Sequence, residues 1–382
     1  MFSKHVTKDI SAYCHGELAA EEARLFAEHV MACAKCRGEF EEIKRGIKFA
    51  EQLPRLEAPE SLWAGIEARL GESQSPVRSS VVWQPRYIAV AAVLIVVAGL
   101  GVWWLRGDGS KPESSKASWM VQRLDGAPRI GNERIDAAGK LGVGEWLETD
   151  GSSRAQIAVA TIGTVEIDQN TRVKLVETAP TEHRLELARG KMSAMIWAPP
   201  RLFFVDTPSA VAADLGCAYT LEVDDHGAGL LRVTSGWVAL QLKDRESIVP
   251  AGAACETRPS LGPGTPYFED ATPAFRAALS KIDFDGDAGA RSSALDSLLT
   301  QARSKDTLTL WHLLARVSGT DRERVYDAMA SLALPPPGVT REGVLALNRD
   351  MLDRWRSVLE TSWNHGDPLL NKKKSFQKKL FK

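Results

Sequence analysis

Three hydrophobic patterns follow one another along the chain. Up to about residue 70 apolar positions recur at helical spacing. Ile10, Tyr13 and Cys14 share one line. Phe40, Ile43 and Ile47, with Leu53, form the stripe of a third helix. Pro59 opens a fourth, with Leu62, Trp63, Ile66 and Leu70 on one side. Residues 119–260 alternate apolar and polar positions, broken by Gly, Pro and Asp, and this predicts strands. Helical spacing returns over 273–364, through Leu295, Leu298 and Leu299, then Leu310, Leu313 and Leu314, then Val325, Met329 and Leu332. Pro335–Pro337 interrupts it, and Leu345, Met351, Leu352, Trp355 and Leu359 resume it. Stacked helical hairpins, as in a short α-repeat, explain that spacing.

A fourth pattern is continuous. Tyr87–Leu105 carries no charge and is about as long as the roughly 20 residues a helix needs to cross a bilayer. Trp83 and Tyr87 stand at one end and Trp103 and Trp104 at the other, as at two membrane interfaces. Arg86 and Arg106 close the run. The alternative is a buried helix of a soluble domain, which the charged boundaries and aromatic ends disfavour. More than 80 residues precede the run, so a cleaved signal peptide is excluded. Flanking charge does not orient it, with Arg78 and Arg86 on one side and Arg106, Lys111 and Lys116 on the other.

The strand region contains a weak internal repeat. Leu185–Ile196 (LELARGKMSAMI) and Leu231–Leu242 (LRVTSGWVALQL) each place a Gly, Gly190 or Gly236, between two short alternating runs. Two hairpin-like layers with glycine at a bend or bulge are expected, against chance similarity.

Composition adds little until it is divided by region. A net charge of −1 over 382 residues argues against a general nucleic-acid coat. A hydrophobic content of 44% excludes wholesale disorder. Five cysteines are too few for a disulfide framework.

The strongest chemical signal is His29-x3-Cys33-x2-Cys36. His29 and Cys33 lie four apart on one helix face, and Cys36 is expected in the turn that follows. An imidazole and two thiolates suit tetrahedral Zn2+, and a closed structural site needs a fourth ligand. His5, placed on the preceding helix, is the first candidate, with Cys14 and His15 as alternatives. A redox CxxC pair is a further reading. A metal makes physical sense here, because so short a set of helices buries little apolar surface alone.

The segment DISAYCHGELAAEEARLFAEHVMACAKCRGEFEEI resembles the zinc-finger domain of zinc-binding anti-sigma factors over roughly residues 4–70. His29, Cys33 and Cys36 match that motif directly, and His5 matches the upstream ligand position approximately. The resemblance implies a small helical bundle that grips an extracytoplasmic-function sigma factor in the cytoplasm. Its fourth helix, with Leu62, Trp63, Ile66 and Leu70, either reaches the partner or packs on its own bundle. A cytoplasmic partner sets the amino terminus inside and residues 107–382 outside. Cys217 and Cys255 then lie in the oxidising compartment, where a disulfide between them is expected, against two small buried thiols.

VDTPSAVAADLGCAYTLEVDDHGAGLLRVTSGWVAL resembles the core of the FecR-type periplasmic domain, with Leu215-Gly216-Cys217 where the family has Arg-Gly-Thr. That resemblance implies an all-β sensory or interaction module and no reaction. GxSxG, Walker A, HExxH and Rossmann patterns are absent from the sequence, so no enzyme is expected. His183, His226, Asp214, Asp224 and Asp225 read as polar turns. Asp283, Asp285 and Asp287 lack the later Glu of a calcium loop and read as solvated.

The expected organisation is a multi-domain chain: a small all-α zinc bundle over 1–72, a linker over 73–85, one transmembrane helix over 86–106, and a linker over 107–118. An all-β FecR-like domain over 119–262, a helical region over 273–364 and a basic tail over 371–382 complete it. The tail's six lysines are solvated, or touch anionic lipid or cell-wall polymer. The expected role is an inner-membrane, single-pass regulator that holds a sigma factor until a periplasmic signal arrives. The alternative is a membrane-tethered scaffold whose bundle binds another cytoplasmic partner.

Overall fold

A computed structural model of the chain describes residues 5–14, 17–18, 20–51, 117–179 and 181–363. The Tyr87–Leu105 run, most of both linkers, the fourth-helix positions Leu62, Trp63, Ile66 and Leu70, and the basic tail lie outside these residues. Among the described residues no helix is long and apolar enough to cross a membrane.

The amino-terminal helices are α1 (Ile10–Cys14), α2 (Ala20–Ala32) and α3 (Ala34–Glu51). Their core is aromatic. The Tyr13 and Phe26 rings stack at 4.5 Å, and Phe40 meets Tyr13 edge-on at 6.0 Å. Ile10, Cys14 and Val30 are buried with them. Phe40 fits the predicted stripe and Ile47 packs against the core, but Ile43 is exposed.

The strands are β1 (Ser118–Asp125), β2 (Arg129–Ile130), β3 (Glu133–Arg134), β4 (Ala138–Gly142), β5 (Trp146–Glu148), β6 (Arg154–Val159), β7 (Gly163–Ile167), β8 (Arg172–Ala179) and β9 (Glu182–Ile196). They continue as β10 (Phe203–Asp206), β11 (Val211–Asp214), β12 (Ala218–Val223), β13 (Gly229–Ser235), β14 (Trp237–Leu242), β15 (Arg245–Pro250), β16 (Ala253–Arg258), β17 (Gly262–Pro263) and β18 (Tyr267–Phe268). The all-β expectation holds, and pairing extends a few residues past 262.

Two hydrogen-bonded sheets share the long strand β9. One runs β4-β1-β6-β7-β9-β12-β13-β16, with β17 and β18 both on β16. The other runs β3-β2-β5-β8-β9-β10-β11-β14-β15. All pairings are antiparallel except β9 with β10.

Glycine makes the sharing possible. The first part of β9 pairs with β8 and β10, and the part from Gly190 onward pairs with β7 and β12. Leu185 and Leu187 are buried before Gly190, and Met192, Ala194 and Ile196 after it. The buried positions change from odd to even at the glycine. A strand alternates faces with period two, so one irregular residue is needed to keep both halves facing the core. The β8–β9 register shifts at this point. Gly190 has φ +92°, and a Cβ there would lie 2.4 Å from the Thr171 Cα. The chain switches sheets again at Gly236, φ +71°, between β13 and β14, where burial passes from Leu231 and Val233 to Val238 and Leu240. The sequence repeat is therefore real at its glycines. Its first copy, however, is one continuous strand rather than a hairpin.

The carboxy-terminal helices are α4 (Pro273–Phe284), α5 (Ala288–Gln301), α6 (Thr307–Leu314), α7 (Thr320–Leu332), α8 (Arg341–Leu345) and α9 (Arg349–Trp363). Pro273 starts α4 behind a Thr272 cap, and Asp287 caps α5. Leu295, Leu298, Leu310, Leu313, Leu314, Val325, Met329, Trp355 and Leu359 are buried as their spacing predicts. Helix α6 is buried nearly all round and closes the open edge of β15. The His312 Nε2 accepts the Ile248 N–H at 3.1 Å, and its Nδ1 lies 2.9 Å from the Leu308 carbonyl oxygen. This edge covering removes an exposed strand edge.

Candidate metal centre

The ligand cluster is assembled by three short stretches of chain. His29 lies in the last turn of α2. Cys33 sits between α2 and α3, its N–H donating to the His29 carbonyl oxygen at 2.8 Å. Cys36 lies in the first turn of α3, not in a free turn as its spacing suggested. His5 precedes the first helical turn rather than lying on a helix, and it folds back onto both thiols.

The four ligand atoms of His5, His29, Cys33 and Cys36 all lie within 4.8 Å of one another. The His5 Nδ1 is 3.3 Å from the Cys36 Sγ and 3.7 Å from the Cys33 Sγ. In a tetrahedral zinc site with bonds of about 2.3 Å to sulfur and about 2.0 Å to nitrogen, an N···S edge is about 3.5 Å. His29 Nε2 is buried and has no hydrogen-bond partner, an arrangement a coordinate bond would satisfy. The donor set and its geometry fit Zn2+. A metal held here would tie the chain before α1 to the α2–α3 junction.

The electrostatics are those of a dithiol. The backbone N–H of Cys36 lowers the Cys33 thiol below the usual range, and burial raises Cys36. Of the alternative ligands, Cys14 lies in the aromatic core, where burial raises its thiol. His15 lies outside the described residues.

The other predicted positions separate from this centre. Cys217 and Cys255 are free thiols, so the expected disulfide is not formed. Each thiol has its own acceptor. Cys217 Sγ donates to Asp214 Oδ2 at 2.6 Å, and Cys255 Sγ to the Gly264 carbonyl oxygen at 3.1 Å. Asp214 is not a polar turn residue. It is buried, and burial pushes its carboxyl up to about 7. His183 is buried and lowered to about 4 by desolvation, with Nδ1 at 3.1 Å from the Thr178 hydroxyl. Asp283 is not solvated either. It accepts from Arg245 and Arg316 and from the Thr265 N–H and hydroxyl. Short-range spacing carries no sign of that hub, because its partners come from β15, the β17–β18 connection and the residues after α6.

Comparison with known proteins agrees with this anatomy. Residues 4–37 match the family described as "Putative zinc-finger", and residues 145–239 match the FecR protein family. The chain thus resembles zinc-finger anti-sigma factors at its amino-terminal segment and FecR proteins in its β-domain. It is 27% identical over 88 residues to the anti-sigma-W factor RsiW of Shouchella clausii, covering 23% of this chain and 40% of that one. It is 32% identical over 89 residues to RsiW of Bacillus subtilis, covering 22% of this chain and 42% of that one. The chain thus spans about two fifths of the length of these relatives. A crystal structure described as a "putative anti-sigma factor" from Parabacteroides distasonis aligns over 35% of this chain and 63% of that one, at 15% identity and a TM-score of 0.29. An overlap that low carries no argument about the fold.

Proposed function

We propose that this chain is a single-pass membrane regulator whose zinc bundle sequesters an extracytoplasmic-function sigma factor in the cytoplasm. The observation that carries the reading is the convergence of His5, His29, Cys33 and Cys36 within a segment that matches the zinc-finger family. The RsiW likeness supports a sigma factor as the partner. Leu62, Trp63, Ile66 and Leu70 are the proposed partner-binding face. The uncharged Tyr87–Leu105 run supports a bilayer crossing, with residues 107–382 outside. The FecR-like domain then receives the signal, and the linker over 107–118 is the exposed place for a releasing cleavage. The test is co-purification of a sigma factor with residues 1–75. Capture of a different cytoplasmic partner would select the scaffold alternative.

A second reading has its own observation. The Lys44 ammonium donates to the Arg201 carbonyl oxygen, and Tyr13, Leu18 and Ala23 share a pocket with Thr161, Thr178 and His183. A bilayer between residues 47 and 117 forbids that contact. In this reading the bundle and the β-domain stay on one side of the membrane and cover each other. Impermeant thiol labelling of single-cysteine variants on each side of 87–105 separates the two.

A further inference from the structure

A cleft of about 500 Å³ opens where the edge strand β15 meets α6 and α9. Its size is that of a small-ligand site. Ile248, Trp311, Leu314 and Leu352 form an apolar wall, and Arg245, Arg316 and Arg356 supply the cations.

The three arginines are not equivalent. Arg316 is committed to the fold. It donates to Thr265 Oγ1 at 2.6 Å, Ser247 Oγ at 2.7 Å, the Glu246 carbonyl oxygen at 3.1 Å and Asp283 Oδ1 at 3.3 Å. Arg245 commits Nη2, at 2.8 Å from Asp283 Oδ1. Arg356 commits Nε, at 2.7 Å from Glu360 Oε1, and its guanidinium lies 5.5 Å from the centre of the Trp311 ring. Among the described residues no acceptor meets Nη1 of Arg245 or either Nη of Arg356, and none of these nitrogens is buried. Two rigid donor forks with unused N–H groups beside an apolar ring suit recognition of a planar anion.

Charge narrows the ligand further. Arg245 and Arg316 share one buried carboxylate, Asp283, so the floor keeps one positive charge. Arg356 is balanced by Glu360. At the mouth Glu246 is paired with Arg201 at 3.3 Å, while Asp244 is exposed and disfavours a multiply charged visitor.

We propose that this cleft binds a small monocarboxylate with an apolar body. Its carboxylate engages Arg245 and Arg356, and its body lies on Trp311 and Leu352. The proposal does not depend on the sigma-factor reading. Neither matched family segment reaches α6 or α9.

Calorimetric titration of the full chain in a non-ionic detergent tests it, with phenylacetate, phenylacetamide, acetate and inorganic phosphate as probes. Saturable binding of phenylacetate is expected. Phenylacetamide, which lacks the charge, and acetate, which lacks the body, should bind at least tenfold more weakly. R356Q and W311A should each weaken phenylacetate at least tenfold, R356K should recover part of the loss, and R129Q on β2 should change nothing. Thermal unfolding of each variant checks that the fold survives. Equal binding of the amide, tighter binding of phosphate, wild-type affinity in folded R356Q, or no saturable binding would each overturn the proposal.

Discussion

At His29 a buried ring nitrogen has no hydrogen-bond partner, and two thiols and a second imidazole stand close by. A structural zinc in such a small bundle is folding free energy as well as a ligand, because a preformed site does not exist in the unfolded chain. The purified chain should carry one equivalent of zinc by elemental analysis. His29→Ala and Cys33→Ser should lose it, and Cys14→Ser should keep it, because that thiol belongs to the aromatic core. Three of the ligands were legible as His-x3-Cys-x2-Cys. His5 was the first candidate for the fourth and is found there, and it was the exclusion of Cys14 that needed the structure, since it depends on how the chain before α1 folds back.

Asp214 makes a second prediction at this scale. Its folded carboxyl titrates at about 7 because it is buried. In the unfolded chain it ionises near the ordinary value of about 3.9. The folded state therefore holds the proton more tightly. Its contribution is fully present below about pH 4, falls as pH rises through 7, and is level above that. Asp214→Asn removes this slope and should be more stable than the wild type at pH 8, by about 2–4 kcal/mol. His183 and His312, lowered by burial to about 4 and about 3, act in the opposite sense, losing stability as pH falls below about 6.5. They are common to both proteins, so the difference in unfolding midpoint against pH isolates Asp214.

Among the elements, β9 has the most unusual task, since it serves both sheets. Alternating apolar and polar positions predicted the strands, and the Gly190 and Gly236 repeat marked the crossings. What alternation alone could not show was the change of parity across each glycine, which replaces a hairpin by a strand that changes sheets. Gly190→Ala forces a Cβ against the Thr171 backbone and should cost about 3 kcal/mol. Gly131→Ala is the control, because Gly131 also has positive φ but an added Cβ meets nothing within 4 Å. It should cost only about 1 kcal/mol. Urea unfolding of the two variants measures the difference, and equal costs would refute the account of β9. The helices were more legible than the strands, since their leucine and tryptophan spacing needs no knowledge of register. The links between helices and sheet were not legible at all. His312 against β15 and Asp283 between two arginines join residues more than thirty positions apart in the chain.

Across the whole molecule, the proposed bilayer divides chemistry as well as space. Zinc-ligand thiols would lie in a reducing compartment, while Cys217 and Cys255, which it would place outside, are each buried with their own acceptor. Burial explains how both remain thiols without a partner sulfur. Topology has a direct check. A cysteine placed at the exposed Arg45 should resist an impermeant thiol reagent in intact cells, and one at the exposed Arg129 should react. Equal reactivity would favour the reading in which the bundle and β-domain share one side.

The central claim is that the metal-held bundle captures a sigma factor. Its most direct test is affinity purification of residues 1–75 from cells of the source organism, with and without Cys33→Ser, followed by mass spectrometry of the bound proteins. The account predicts one sigma factor, near stoichiometric with zinc-loaded bundle and absent from the Cys33→Ser sample. A zinc-loaded, folded bundle that retains no sigma factor would contradict it.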